Sequence, residues 1–215
     1  MSDAAPTATL DSLVPYQAGV RSAQPAYVML NDRLEAVETV SYGALTDRVV
    51  DVAGRLAHRA RPGDRVLLAY SNGIEAVEAF WSCIAAGLVP IPAPAPDPHH
   101  SRVSMARLQA IADNAGLSLA LTTSDLVDAV RSGTGDLPWT TLAEVCDGPA
   151  GTLGAAPRSE TAYLQYTSGS TSAPRGVRIE HGAVLAQCQA LQAIVPIDPE
   201  RSRGLIWLPW FHDYG

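Results

Sequence analysis

Four hydroxyl side chains crowd one turn of this 215-residue chain. Thr167, Ser168, Ser170 and Thr171 surround Gly169 in Tyr166-Thr-Ser-Gly-Ser-Thr-Ser-Ala-Pro-Arg-Gly-Val177. The apolar run 162–166 before it reads as a buried strand, and 177–179 after it as a second short strand. Such a turn gathers backbone N–H groups and side-chain donors into one small volume, which suits phosphate oxygens. A Ser/Gly-rich stretch is more often a linker. Here the flanking strands, the stiffening Pro174 and the cationic Arg175 favour a phosphate cradle. It is not a Walker A loop, because no Gly-Lys-Ser/Thr follows Gly169 into a helix, and the chain has no G-x-G-x-x-G.

The second constellation is His212-Asp213. It follows an expected strand over 204–208, at the end where open α/β sheets hold ligands. Trp207, Trp210, Phe211 and Tyr214 supply aromatic surface around it. Either the pair touches a charged group on a ligand, or it opens a helix with Asp213 as a first-turn carboxylate. The residues alone leave both readings open. The other histidines read as structural. His99-His100 has no third metal ligand nearby, His58 sits on an exposed helical turn, and His181 stands at a helix start. No G-x-S-x-G elbow is present. Cys83, Cys146 and Cys188 lack metal or CxxC spacing and read as reduced thiols, with Cys83 and Cys188 inside helices as small apolar residues.

These groups need a scaffold, and composition allows one. The chain is 47% apolar and 17% charged, which fits a globular protein. A net charge of −7 argues against nucleic acid or an anionic membrane as partner. No signal-peptide pattern and no apolar run of membrane-spanning length is visible, so a cytoplasmic location is expected.

The periodicity predicts an arm and short helix (10–20) within residues 1–24, then a first α/β unit over 25–150. Its expected elements are a hairpin (26–30 and 34–40) and a Ser41-capped helix to about residue 60, with Leu45, Val49, Val52 and Leu56 on one face. A continuous apolar strand (66–70), a helix (74–86) and a strand (88–91) come next. Five prolines at alternate positions from 90 to 98 read as a stiff surface connector. A helix over 101–115, a strand over 117–121 and a short helix capped by Ser124 complete the unit. Residues 147–158 read as loop, and 151–215 as the start of a second unit. That unit includes a helix over 182–194 with Val184, Cys188, Leu191 and Val195 inward. Strand–helix–strand alternation predicts an α/β fold, with sheets of largely parallel strands flanked by helices.

The hydroxyl loop resembles the signature of the adenylate-forming (AMP-binding) superfamily, Thr-Ser-Gly-Ser-Thr-Gly-x-Pro-Lys-Gly. Ser172 stands where the family usually has Gly, and Arg175 where it usually has Lys. Four further stretches look most like the fatty acyl-AMP ligases. They are Gly63-Asp-Arg-Val-Leu-Leu-Ala-Tyr70, Ala79-Phe-Trp-Ser-Cys-Ile-Ala-Ala-Gly-Leu-Val-Pro-Ile91, Arg107-Leu-Gln-Ala-Ile-Ala-Asp-Asn-Ala115 after the Pro-rich link, and Ile206-Trp-Leu-Pro-Trp-Phe-His-Asp-Tyr-Gly215.

The resemblance implies the first part of the large N-terminal domain of an adenylate-forming enzyme. It implies ATP and Mg²⁺ as cofactors and a fatty acid as substrate, with an acyl carrier protein or polyketide synthase as acceptor. Thr167, Ser168, Gly169, Ser170, Thr171, Ser172, Arg175 and Gly176 would hold phosphate, and no protein metal ligand is assigned. His212 and Asp213 would line the pocket where acyl group and AMP meet. Family members run several hundred residues further, so the expectation is a partial, catalytically incomplete chain. An acyl-CoA ligase, an amino-acid adenylation domain or a non-catalytic remnant are the alternatives.

Overall fold

The computed structural model describes residues 9–97, 100–153, 159–167, 174–198 and 201–211. A single 3-10 turn (Leu10–Ser12) leads into helix α1 (Leu13–Arg21). Strands β1 (Pro25–Leu30) and β2 (Ala36–Ser41) form an antiparallel hairpin. Its turn is longer than the sequence suggests. Asn31 Oδ1 accepts from the backbone N–H groups of Arg33 and Glu35, and Leu34 takes a left-handed φ of 60°. Leu34 therefore belongs to the turn, not to β2.

Helix α2 (Tyr42–Leu56) starts where expected, with Ser41 Oγ accepting from Ala44 N–H. Its face Leu45, Val49, Val52 and Leu56 is buried as the 4–3–4 spacing requires. It ends four residues earlier than the reading to residue 60, continuing only as hydrogen-bonded turns to Ala60.

The core is a parallel sheet of four strands in the order β4-β3-β5-β6. These are β3 (Arg65–Tyr70), β4 (Val89–Pro94), β5 (Leu119–Thr122) and β6 (Trp139–Thr140). The two-residue alternation of β3 feeds both faces. Val66, Leu68 and Tyr70 pack with α2, with α3 (Ile74–Ala85) and with α6 (Leu142–Cys146). Leu67 and Ala69 face the other layer, with α4 (Ser101–Ala115) and α5 (Val127–Gly133). Helices thus cover both sides, which is why β3 reads as an unbroken apolar run.

The Pro-rich link is the main correction. Pro90, Pro92 and Pro94 are not surface connector but part of β4, in parallel register with Val66, Leu68 and Tyr70 of β3. The strand tolerates them because β4 is the edge of its sheet. Alternate residues of an edge strand point their N–H away from the neighbour, so prolines at those positions remove no ladder bond. The next strand, β7 (Thr161–Thr167), packs beside β4 but pairs only with β8 (Arg175–Glu180). The proline edge offers β7 few donors.

Other differences are smaller. Ser124 does not cap α5; the chain first turns over the Thr123 carbonyl, which accepts from Leu126 and Val127, and α5 starts at Val127. Strand β6 and helix α6 were not expected. Their signal was in the sequence, since Thr141 and Glu144 form a reciprocal capping box. Cys83 is fully buried, as expected.

Helix α7 (His181–Ile194) forms over the expected residues, but only His181 is buried. Cys188, Leu191 and Val195 are exposed rather than inward. Val184, at the start of that face, is half-buried against Leu10, Ile84 and Ala162 as expected, but the later turns stay exposed among the described residues. Residues 204–208 likewise form no strand: Leu205, Ile206 and Trp207 are exposed and find no partner among the described residues.

Candidate functional site

The hydroxyl loop is carried by the β7–β8 hairpin. Strand β7 alternates, with Ala162, Leu164 and Tyr166 buried. Leu164 and Tyr166 join the core layer beneath β4 and α4, and Ala162 packs against Leu10 and Ile84. The Tyr166 hydroxyl donates to Asn114 Oδ1 at the end of α4, 2.7 Å away. Burial pushes this phenol's pKa up, partly offset by the Arg65 guanidinium.

Across the ladder, Tyr166 faces Gly176 and Thr167 faces Arg175. A Cβ at position 176 would lie 2.9 Å from the Tyr166 ring, so glycine is required for the ring to cover the strand. Arg175 and Thr167 are exposed and form the last ladder pair before the turn. Of the eight phosphate-loop residues named from the sequence, Thr167, Arg175 and Gly176 are therefore brought together at the hairpin end. Ser168, Gly169, Ser170, Thr171 and Ser172 lie outside the described residues, as do His212 and Asp213.

The segment that leads to His212-Asp213 is nevertheless placed up to Phe211. Asn72, in the turn between β3 and α3, grips it at two points. Its Nδ2 donates to the Leu208 carbonyl at 3.0 Å, and its Oδ1 accepts from Trp210 N–H at 3.0 Å. Gln165 of β7 donates from Nε2 to the Phe211 carbonyl at 2.6 Å. The Trp210 ring lies against Tyr27 of β1, centroids 6.1 Å apart, and the Tyr27 hydroxyl accepts from Trp81 Nε1 at 3.3 Å. Sequence reasoning did not single out Asn72 or Gln165. Their partners are 46 to 138 positions away, and a lone amide carries no periodic signal.

Between these parts runs an apolar cleft of about 590 Å³. Its walls include Leu68, Phe80, Trp81, Tyr163, Trp210 and Phe211. It opens beside Tyr70, Ser71 and Asn72 at the C-terminal end of β3, the position where open parallel sheets take ligands. Gln165 also lines it, two residues before Thr167. The cleft thus lies directly beside the strand that enters the hydroxyl loop. Tyr163 stacks edge-on against Phe80 at 5.7 Å, giving a rigid aromatic wall.

Other titratable groups are less suggestive. Burial, with Glu78 and Asp125 adding repulsion, pushes the Glu75 carboxyl up to about 7. His181 accepts the Leu10 backbone N–H through Nδ1 at 3.2 Å, tying the N-terminal turn to α7. His100 pairs with Asp97 at 2.8 Å, and His58 is exposed. Among the described residues no three His, Cys, Asp or Glu side chains gather as a metal site. None of the described helices is long and apolar enough to cross a membrane.

Comparison with known proteins places these features. Residues 16–215 match the family described as AMP-binding enzyme. A medium-chain-fatty-acid–[acyl-carrier-protein] ligase, JamA of Moorena producens, is 33% identical over 96% of this chain and 36% of its own length. A long-chain-fatty-acid–AMP ligase, FadD32 of Mycolicibacterium smegmatis, is 34% identical over 92% of this chain and 33% of its own. A solved structure from a study of fatty acyl-adenylate ligases from E. coli and L. pneumophila superposes with a TM-score of 0.83 at 32% identity, covering 96% of this chain and 37% of that one. The chain spans about a third of the length of the relatives it matches. It belongs to the AMP-binding enzyme family, with the fold of the adenylate-forming enzymes and similarity to the fatty acyl-AMP ligases.

Proposed function

We propose that this chain is the N-terminal part of a fatty acyl-AMP ligase. A fatty acid carboxylate oxygen attacks the α-phosphorus of ATP, the α–β anhydride bond breaks, and acyl-adenylate and pyrophosphate form. The thiol sulfur of an acyl carrier protein, free or within a polyketide synthase, then attacks the acyl carbonyl, the acyl–phosphate bond breaks, and AMP and the thiol proton leave as the thioester forms. The observation that carries this reading is the apolar cleft set against β7, the strand that enters the hydroxyl loop. An acyl chain and a triphosphate need that adjacency. The names of JamA and FadD32 support the substrate class, and that of JamA supports a carrier-protein acceptor.

In this reading Thr167, Ser168, Gly169, Ser170, Thr171, Ser172 and Gly176 donate hydrogen bonds to phosphate oxygens, and Arg175 offsets their charge. His212 and Asp213 line the point where carboxylate and α-phosphate meet. Mg²⁺ enters with the nucleotide, held by phosphate oxygens and water rather than by a protein cage. The three free cysteines fit a reducing, cytoplasmic setting.

Fatty-acid-dependent exchange of labelled pyrophosphate into ATP tests the reading, using the protein expressed from its full reading frame. Exchange with fatty acids but not amino acids is expected, and Arg175→Ala should lower it at least tenfold, as loss of a charge-assisted contact does. Exchange driven by amino acids, or none with any carboxylic acid, would overturn it.

A further inference from the structure

The apolar cleft has two ends of different character. Its mouth lies beside Ser71 and Asn72, which are exposed, and Gln165 on β7. From there it follows α3 inward past Ala76, Val77 and Phe80. Tyr163 meets Phe80 from the other wall, ring centroids 5.7 Å apart. On β7 Tyr163 lies two residues farther from the hydroxyl loop than Gln165, so both walls run inward in the same direction. None of the described residues lining the cleft is charged. Its amide and aliphatic hydroxyl groups, on Ser71, Asn72 and Gln165, all stand at the mouth.

The N-terminal turn builds the inner end. Leu10 and Leu13 both line the cleft. Leu10 is only 3% exposed, because it packs with Ile84, one turn beyond Phe80 on α3, and with Ala162 of β7. Val184 of α7 leans on the same cluster. The turn is held there by this packing and by Val14 in the neighbouring cluster with Val40 and Ile74. The Leu10 N–H also donates to the buried His181 Nδ1 at 3.2 Å. From Ala76 to Ile84, α3 advances about 12 Å. An extended alkyl chain, a zigzag of bonds of about 1.5 Å, spans that with roughly eight to ten carbons.

We propose that Leu10 and Leu13 are specificity-determining residues that close the inner end of the cleft and limit the acyl substrate to medium length. The inference rests on the adenylation reading above and adds which fatty acids are taken. The carboxylate stays at the polar mouth, beside the strand that enters the hydroxyl loop, and the methyl end meets the two leucines. Each methylene buried on the way in strengthens binding about fourfold. Carbons beyond the stop find the interior already filled, and overpacking is unfavourable.

The test is the chain-length profile of the exchange reaction, on protein expressed from its full reading frame. Across saturated acids of about six to sixteen carbons, wild-type kcat/KM should rise about fourfold per methylene to about ten carbons and fall beyond. Leu13→Ala and Leu10→Ala should each move the optimum about two carbons longer, since the space left is apolar and takes alkyl carbons. Leu13→Trp should move it about two carbons shorter by filling the inner end. The shortest acids do not reach the turn, so on them the Ala variants should match the wild type. Leu13 is half-buried, and its variants carry the test should Leu10→Ala fail to fold.

An optimum shared by the wild type and both Leu13 variants would overturn the proposal, as would a wild-type profile still rising at the longest acids. If the wild type shows no exchange with any carboxylic acid, the functional reading fails. The stop is then judged on equilibrium binding of the same acids, followed by tryptophan fluorescence, to which Trp81 and Trp210 of the cleft walls contribute. A binding optimum that Leu13→Ala lengthens supports it. Binding with no optimum, an optimum that Leu13→Ala leaves in place, or no binding overturns it.

Discussion

Helices α2 and α7 are of nearly equal length and both carry an apolar stripe, but they end in opposite situations. In α2, six of fifteen residues are buried between sheet, α3 and α6. In α7, one of fourteen is buried, and Leu191 and Ile194 stand 45% and 79% exposed. The same contrast separates β3, buried in five of six positions, from β8, exposed in five of six. Periodicity states which face of an element can be covered. Whether a partner covers it depends on the rest of the chain: α2 and β3 are covered by their neighbours, while β7 buries one face in the same core layer and much of β8 and α7 stays exposed.

The largest effect expected from this contrast is in core truncation. Leu67→Ala on β3, at 0% exposure, should destabilise by about 3 kcal/mol. Leu191→Ala on α7 should stay within about 0.5 kcal/mol. Urea unfolding of both variants decides it, and equal losses would show that α7 is as well packed as β3.

Next is the hairpin itself. Gly176→Ala places a Cβ against the Tyr166 ring and should cost about 1–2 kcal/mol by overpacking. In a Tyr166→Ala background the cost should largely vanish, a coupling that a double-mutant cycle reads directly. Additive losses would mean that the ring does not constrain position 176.

Glu75 tests the interior of the first unit. Its carboxyl is pushed up to about 7, so the folded state binds the proton more tightly than the unfolded one. That contribution is present at low pH and is lost as pH rises from the ordinary carboxylate range through 7. Glu75→Gln should therefore raise stability at pH 8 by about 1 kcal/mol, a value reduced for partial exposure, and change it little at pH 5. A pH-independent effect would contradict the placement of Glu75.

The smallest perturbation is thiol labelling. Cys188 is exposed beside the cleft, whereas Cys83 is fully buried with its thiol pushed up by burial. An alkylating reagent should modify Cys188 in the folded protein and reach Cys83 only after unfolding. Equal rates would erase the distinction between the two regions.

Much of the fold is legible in the sequence, for identifiable reasons. Residues 101–115 form α4 as its spacing requires, with Met105, Leu108, Ile111 and Ala112 buried. The unbroken run 66–70 correctly signals a strand covered on both faces. The alternating prolines mislead because edge position, which makes them tolerable, is a property of sheet order and not of local sequence. The run 204–208 misleads in the opposite way, since its apolar character is real but no strand among the described residues meets it. At the site, the hydroxyl loop is visible because its residues are contiguous. Asn72 and Gln165 are not, because their meaning lies in contacts with residues 208–211 that only folding creates.

The central claim is that cleft and loop together make an acyl-adenylate. It is tested most directly by mass spectrometry of the protein from its full reading frame, incubated with fatty acid, ATP and Mg²⁺ without acceptor. The account predicts fatty acyl-AMP and pyrophosphate in equal amounts, with the adenylate consumed on adding a carrier protein bearing its phosphopantetheine thiol. Absence of acyl-AMP with every fatty acid offered, while an amino acid yields its adenylate, would contradict it.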